Sequence, residues 1–267
     1  MLRPVSEEDP SLRGAKPFVP LVTYALIAAC ALVFLVGPVS GLDPLYGSGN
    51  ARACAELAYY HHWGVIPSEL MDNQPIAATP TPGCPAPDSF PKIPALSVLT
   101  AMFVHGGWLH LLGNMLFLYV FGAMVEERMG RLPYLLSYVA LGYLATYGYA
   151  VFAGGGDSAT QTLVGASGAI AGILGAYLRL HPKARVTSLL PFLLFLPLRF
   201  PAWLVLGVWF AIQWASVGAP SAAVTGVAYT AHLIGFAGGF LFAWLLYCRR
   251  RGYADPTNAA VLPGDSP

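Results

Sequence analysis

Three short stretches hold most of the side chains able to do chemistry: HGGWLHLLGN (105–114), LVGASGAI (163–170) and AHLIGFAGG (231–239). They set Ser167, His232, His110 and Asn114 among residues that are otherwise small or apolar. A serine hydroxyl is a poor nucleophile until a base takes its proton, and imidazole is the usual base. Ser167 with His232 is therefore a candidate nucleophile–base pair. His110 and Asn114 are four residues apart, which puts them on one face of a helix. An imidazole N–H and an amide N–H₂ there suit the role of oxyanion donors, each worth about 10²–10³ in rate. Gly165, Ala166 and Gly168 leave room at Ser167 for a substrate backbone. A helix beginning at that serine would add unpaired N–H groups and a positive dipole end. His105, next to Gly106 and Gly107, reads as structural.

The elements that must position these groups are membrane helices. The chain has 267 residues, of which 56% are hydrophobic and 10% charged; an ordinary soluble domain carries about 25% charged residues. A spanning helix needs about 20 mostly apolar residues. Six stretches qualify as spans, over 18–39, 101–125, 132–153, 161–178, 200–217 and 229–248. The expected fold class is an all-α membrane protein with six transmembrane helices. The first apolar run is longer than the h-region of a signal peptide and reads as the first span.

Charge placement sets the expected orientation. Lys and Arg gather in the N-terminal tail (Arg3, Arg13, Lys16), at Arg128 and Arg131, at Arg179, Lys183, Arg185 and Arg199, and in the run Arg249–Arg251. Cytoplasmic segments collect such residues, so both termini are expected inside. Residues 1–17 then form a cytoplasmic tail, 18–248 a membrane domain, and 249–267 a basic and then disordered tail. Residues 40–98, rich in Pro and Gly, become a long external loop between the first two spans. Within it WGVIPSEL reads as a short interfacial helix. Cys54 and Cys84 share this loop, where a disulfide is permitted but not dictated by sequence. The run 189–198, apolar with two prolines, reads as a cytoplasmic interfacial segment.

This topology brings the chemistry to one level. Spans two, four and six all run inward, and each polar residue lies near the start of its span. At a rise of about 1.5 Å per residue, Ser167 stands roughly 18 Å above Arg179 and Asn114 roughly 18 Å above Glu126. Each side chain taken alone reads most simply as helix packing or an interhelical hydrogen bond. A hydroxyl, an imidazole and an amide at one depth favour a reactive site, because polar groups at membrane depth are costly. Gly235 and Gly239 form a small-xxx-small stripe that lets span six approach span four closely. Zinc would need three or four ligands, and no carboxylate or thiol joins His105, His110 and His232 at that level, so no metal or cofactor is expected.

Together these residues resemble the rhomboid family of intramembrane serine proteases. HGGWLHLLGNMLFLYVFGAMVEERMG (105–130) is similar to the family's second helix, GASGAIAGILGAYL (165–178) to its nucleophile motif, and AHLIGFAGG to its sixth helix. The resemblance implies a rhomboid-like bundle and a Ser–His dyad of Ser167 and His232 with no acidic third member. It also implies structural roles for Glu126 and Arg128. Two departures bear on loop anchoring and on support of the imidazole. The loop before span two reads PALSVLT, without the family's Trp-Arg pair, and Ala171 stands where some members carry an aromatic. Residues 68–92 look like an insertion. The implied function is an endopeptidase cleaving transmembrane segments near the outer face, with membrane proteins and the lipid bilayer as partners and no nucleic acid. The other function considered is an inactive relative that binds membrane clients. A bacterial plasma membrane is the expected location.

Overall fold

The computed structural model describes residues 18–77, 81–85, 91–154, 156–190, 196–219 and 226–247. The expected terminal tails lie outside them. Three helices are long and apolar enough to cross a membrane, judged by length and composition: Trp108–Met129 (α5), Arg131–Ala153 (α6) and Tyr229–Tyr247 (α9). Three shorter apolar helices accompany them: Leu21–Val36 (α1), Ser167–Leu180 (α7) and Ala202–Ser216 (α8). Leu118–Gly122 forms a π-helical turn inside α5. The buried centre combines Tyr134 and Tyr138 of α6 with Ile173 and Leu174 of α7 and Leu206 of α8, all fully or almost fully enclosed.

Closest approach is made by α7 and α9, and small residues allow it. A Cβ on Gly235 would run into the carbonyl oxygen of Gly168, and one on Gly239 into that of Gly172. From the other side, a Cβ on Gly175 would meet the backbone of Phe236. These obstacles are main-chain atoms, which cannot swing aside. The two helices therefore lie backbone against backbone, and α6 closes the group, with Ala145 and Leu141 facing Gly168 and Gly172. Van der Waals contact of this kind is a main source of helix association where water is absent.

A buried carboxyl group fixes α1. Proline precedes this helix and no local side chain caps it, so its first N–H groups need outside acceptors. Glu126, fully buried at the end of α5, supplies them. Its Oε1 accepts from the Val22 amide at 3.0 Å, and its Oε2 from the Thr23 amide at 2.7 Å and the Thr23 hydroxyl at 2.8 Å. This agrees with the structural role expected for Glu126.

Residues before α5 are more ordered than their composition suggests. They hold Asn50–Trp63 (α2), Pro67–Asp72 (α3) and Pro94–Ala101 (α4). The expected helix at WGVIPSEL is split between the end of α2 and the start of α3, and PALSVLT forms most of α4. Cys54 and Cys84 are joined by a disulfide, the alternative that sequence left open. Lys92 pairs with buried Glu69 at 2.7 Å and donates to the His61 carbonyl at 2.8 Å. This ion pair ties the segment together without a Trp-Arg pair. Tyr143 of α6 donates to the Ala95 carbonyl at 3.0 Å and docks α4 on the bundle.

The region after α7 departs from expectation. Residues Arg185–Leu190 (β1) and Leu196–Pro201 (β2) form an antiparallel hairpin, with Arg185 opposite Pro201 and Val186 opposite Phe200. Cross-strand pairing of backbone groups, invisible in a run judged by hydropathy, is the reason. Residues 191–195 of the expected interfacial segment lie outside the described set.

Two substitutions test these supports by thermal unfolding in detergent. Glu126→Ala removes the acceptor of three hydrogen bonds, two of them from backbone amides, and should cost on the order of 2–4 kcal/mol, seen as a clear fall in Tm. Gly239→Ala should destabilise by about 1–3 kcal/mol through overpacking. Gly207→Ala is its control: a Cβ there meets nothing within 4 Å, so Tm should be unchanged or higher.

Candidate active site

Ser167 opens α7 because residues shortly before it are engaged with other parts of the chain. Val65 and Leu163 form a backbone bridge, with the Val65 N–H donating at 2.9 Å and the Leu163 N–H at 2.7 Å. The Gly165 N–H then donates to the Ala101 carbonyl at 2.9 Å. The expected span from 161 is thus shortened: the helix starts at Ser167, and Leu163 and Gly165 pair their backbone groups outside it. Gly165 has φ +116°, a region that disfavours a side chain. A Cβ there would also lie 2.7 Å from His110 Nε2. Glycine is required twice over at this position, by conformation and by space.

His232, in the first turn of α9, reaches the serine. Its Nε2 lies 2.8 Å from Ser167 Oγ. The distance suits a hydrogen bond in which the hydroxyl donates to the ring nitrogen. Both residues are half-buried. Their contact follows from the glycine crossing, since Gly235 stands three residues after His232 and touches Gly168, the residue after Ser167. The structure therefore brings together the two residues that the sequence paired.

His110 and Asn114 lie on the face of α5 turned toward Gly165, as their spacing predicts. His110 Nδ1 accepts from the Gly106 N–H at 3.3 Å, which leaves Nε2 toward Gly165. Asn114 is 8% exposed, and its Nδ2 has no hydrogen-bond partner among the described residues. A buried amide donor without an acceptor is costly, and it sits 3.9 Å from the position a Gly165 Cβ would take. His105 is buried; its Nδ1 lies 3.2 Å from the Phe103 carbonyl, and its ring packs edge-on to His110 with centroids 5.2 Å apart. That suits the structural reading. Among the described residues no group of His, Cys, Asp and Glu could hold a metal ion.

One side chain escapes the sequence reading. Gln213 of α8 is 9% exposed, and its Oε1 lies 2.7 Å from His232 Nδ1. The signal was available: Gln213 is a lone amide in AWLVLGVWFAIQWAS, the same kind of anomaly that drew notice to Asn114. It also continues the buried positions Ala202 and Leu206 of α8 at helical spacing. The aromatic absent at Ala171 is replaced from elsewhere. Trp209 lies 6.1 Å from the His232 ring at an interplanar angle of 31°, and Tyr229 lies edge-on at 6.3 Å.

Chemically, the arrangement can activate a hydroxyl, offer donors nearby and keep both in partly enclosed surroundings. Known proteins are similar to this chain in sequence. The sequence profile of the rhomboid domain matches residues 95–249. A Bacillus subtilis (strain 168) protein named "Putative rhomboid protease YdcA" is 26% identical over 159 residues, which is 55% of this chain and 65% of that protein. RHOMBOID-like protein 6, mitochondrial, of Arabidopsis thaliana is 27% identical over 179 residues, 62% of this chain and 53% of its own. Rhomboid-like protein 11, chloroplastic, from the same plant is 48% identical over 44 residues, 16% of each chain. The chain thus covers less than two thirds of the length of each of these relatives. The profile match takes in more than half of this chain and all three motif-bearing stretches, so the chain belongs to the rhomboid family.

Proposed function

We propose that this membrane protein is an intramembrane serine endopeptidase that cleaves transmembrane segments of other proteins. The observation that carries the reading is the 2.8 Å contact between Ser167 Oγ and His232 Nε2. Ser167 is the nucleophile and His232 the base. Six spans cross the bilayer, formed around α1, α5, α6, α7, α8 and α9, with both termini cytoplasmic and residues 40–98 outside. The host is a bacterial plasma membrane.

Reaction begins when the outer end of a substrate helix unwinds and its scissile carbonyl reaches Ser167. His232 takes the hydroxyl proton as Oγ attacks the carbonyl carbon. The tetrahedral oxyanion is held by Asn114 Nδ2, by His110 and by the free N–H groups at the start of α7. Collapse of this intermediate expels the amine, which His232 protonates. Water, activated by the same imidazole, then releases the acyl group and restores Ser167. The idle donor on Asn114 supports this role, since the transition state supplies the acceptor it lacks. An unwound substrate backbone also needs partners at membrane depth, and the non-helical residues ahead of Ser167 are the proposed source.

Purified protein with a model transmembrane substrate tests the reading. Ser167→Ala and His232→Asn should each abolish cleavage with an unchanged melting curve, and a fluorophosphonate probe should label Ser167 in the unaltered protein. Cleavage that survives either change, or a labelled serine elsewhere, would refute it. Asn114→Ala should slow turnover by about 10²-fold or less, as expected of one donor among several.

A further inference from the structure

General-base action by His232 requires a particular tautomer. A neutral imidazole carries one N–H. If that proton sits on Nε2, the ring points a donor at Ser167 Oγ and has no lone pair to receive its proton. If it sits on Nδ1, the Nε2 lone pair faces the hydroxyl. Serine proteases with an acidic third member settle the choice by placing a carboxylate at Nδ1. None of the described acidic residues is hydrogen-bonded to His232, yet Gln213 Oε1 lies 2.7 Å from its Nδ1.

We infer that Gln213 of α8 is a positioning residue that holds His232 as the Nδ1–H tautomer and fixes the plane of its ring. An amide oxygen can only accept, so a bond at this distance places the ring proton on Nδ1. The amide is neutral, so it orients the base without adding a second charge at membrane depth, where ionised groups are expensive. Cysteine proteases of the papain type use an asparagine beside their histidine, so an amide is chemically sufficient. Gln213 is itself held. It is buried on the face of α8 that also carries Trp209, four residues earlier, and Trp209 packs on both His232 and Phe236, the latter at 5.8 Å. One helix thus supplies an aromatic wall and an acceptor to the same imidazole. A purely interhelical hydrogen bond would need neither this ring nitrogen nor this orientation of the amide.

The kinetic consequence rests on the protease reading, whereas the tautomer can be measured without it. The experiment uses the whole chain in detergent, with ¹⁵N-labelled histidine, at about pH 8, above the ordinary imidazole range. The His232 signals are assigned by their loss in His232→Asn. The unaltered protein should show His232 protonated at Nδ1 and bare at Nε2. Gln213→Met, similar in shape but with only a weak thioether acceptor in place of the amide oxygen, should shift the population toward Nε2–H. The same variant should lower kcat by about 10–10²-fold, a part of the usual worth of a general base, with KM changed by about twofold or less. Gln213→Glu keeps an acceptor oxygen and should recover most of the lost kcat. The inference is overturned if His232 carries its proton on Nε2, if Gln213→Met leaves the tautomer unchanged, or if Glu restores nothing in a folded protein. Absence of Ser167-dependent cleavage in the unaltered protein would instead defeat the protease reading, and the spectrum would still decide the place of Gln213.

Discussion

Contact between the main chains of α7 and α9 is the constraint on which the site depends. Ser167 starts one helix and His232 starts the other, so their separation is set by the crossing below them. Where a side chain intervenes, interaxial distances are usually 8–10 Å. Glycines at 168, 172, 175, 235 and 239 remove that spacer from both partners. The hydroxyl and the imidazole then meet without either side chain having to stretch. A contact of this kind is stiff, because the opposing atoms belong to hydrogen-bonded backbone and have no rotamers to exchange.

Around this crossing, polar groups are few, and several are matched across helices. Glu126 takes the free amides of α1, and Glu69 takes Lys92 and the Ile76 amide. His232 uses both ring nitrogens. The bare amide of Asn114 is one of several buried polar atoms without a partner among the described residues, with His105 Nε2 and the Tyr138 hydroxyl, and it lies beside Gly165. Interiors seldom leave a donor idle, and under the proposed function the substrate's oxyanion supplies the acceptor for this one. The segment between α1 and α5 also shapes the site. Its bridge from Val65 to Leu163 keeps the residues ahead of Ser167 out of the helix, and that is what leaves the serine at a helix start.

Much of this was legible in residue types and spacing. The i, i+4 pair His110 and Asn114, the glycine stripe of α9, and a serine among small residues are local signals, and each reports a helix face or terminus directly. The structural role of Glu126 came from the family resemblance, and its bonds to the first amides of α1 supply the physical reason. What the sequence hid is non-local. The Val65–Leu163 bridge shortens α7 by pairing residues far apart in the chain. The hairpin of β1 and β2 depends on register, which hydropathy does not encode. α2 has neither a long apolar run nor a clean stripe, so it read as loop. Gln213 was visible as an anomaly in an apolar stretch, but its partner was not, since nothing in the sequence says which ring a glutamine faces.

The clamps on the segment between α1 and α5 have a consequence for how this protein can diversify. A disulfide holds Cys84, and an ion pair holds Lys92. With both ends fixed, added length between them closes a longer loop at a price of only about 0.6 kcal/mol per doubling. New sequence can be trialled there with the bundle as an indifferent host.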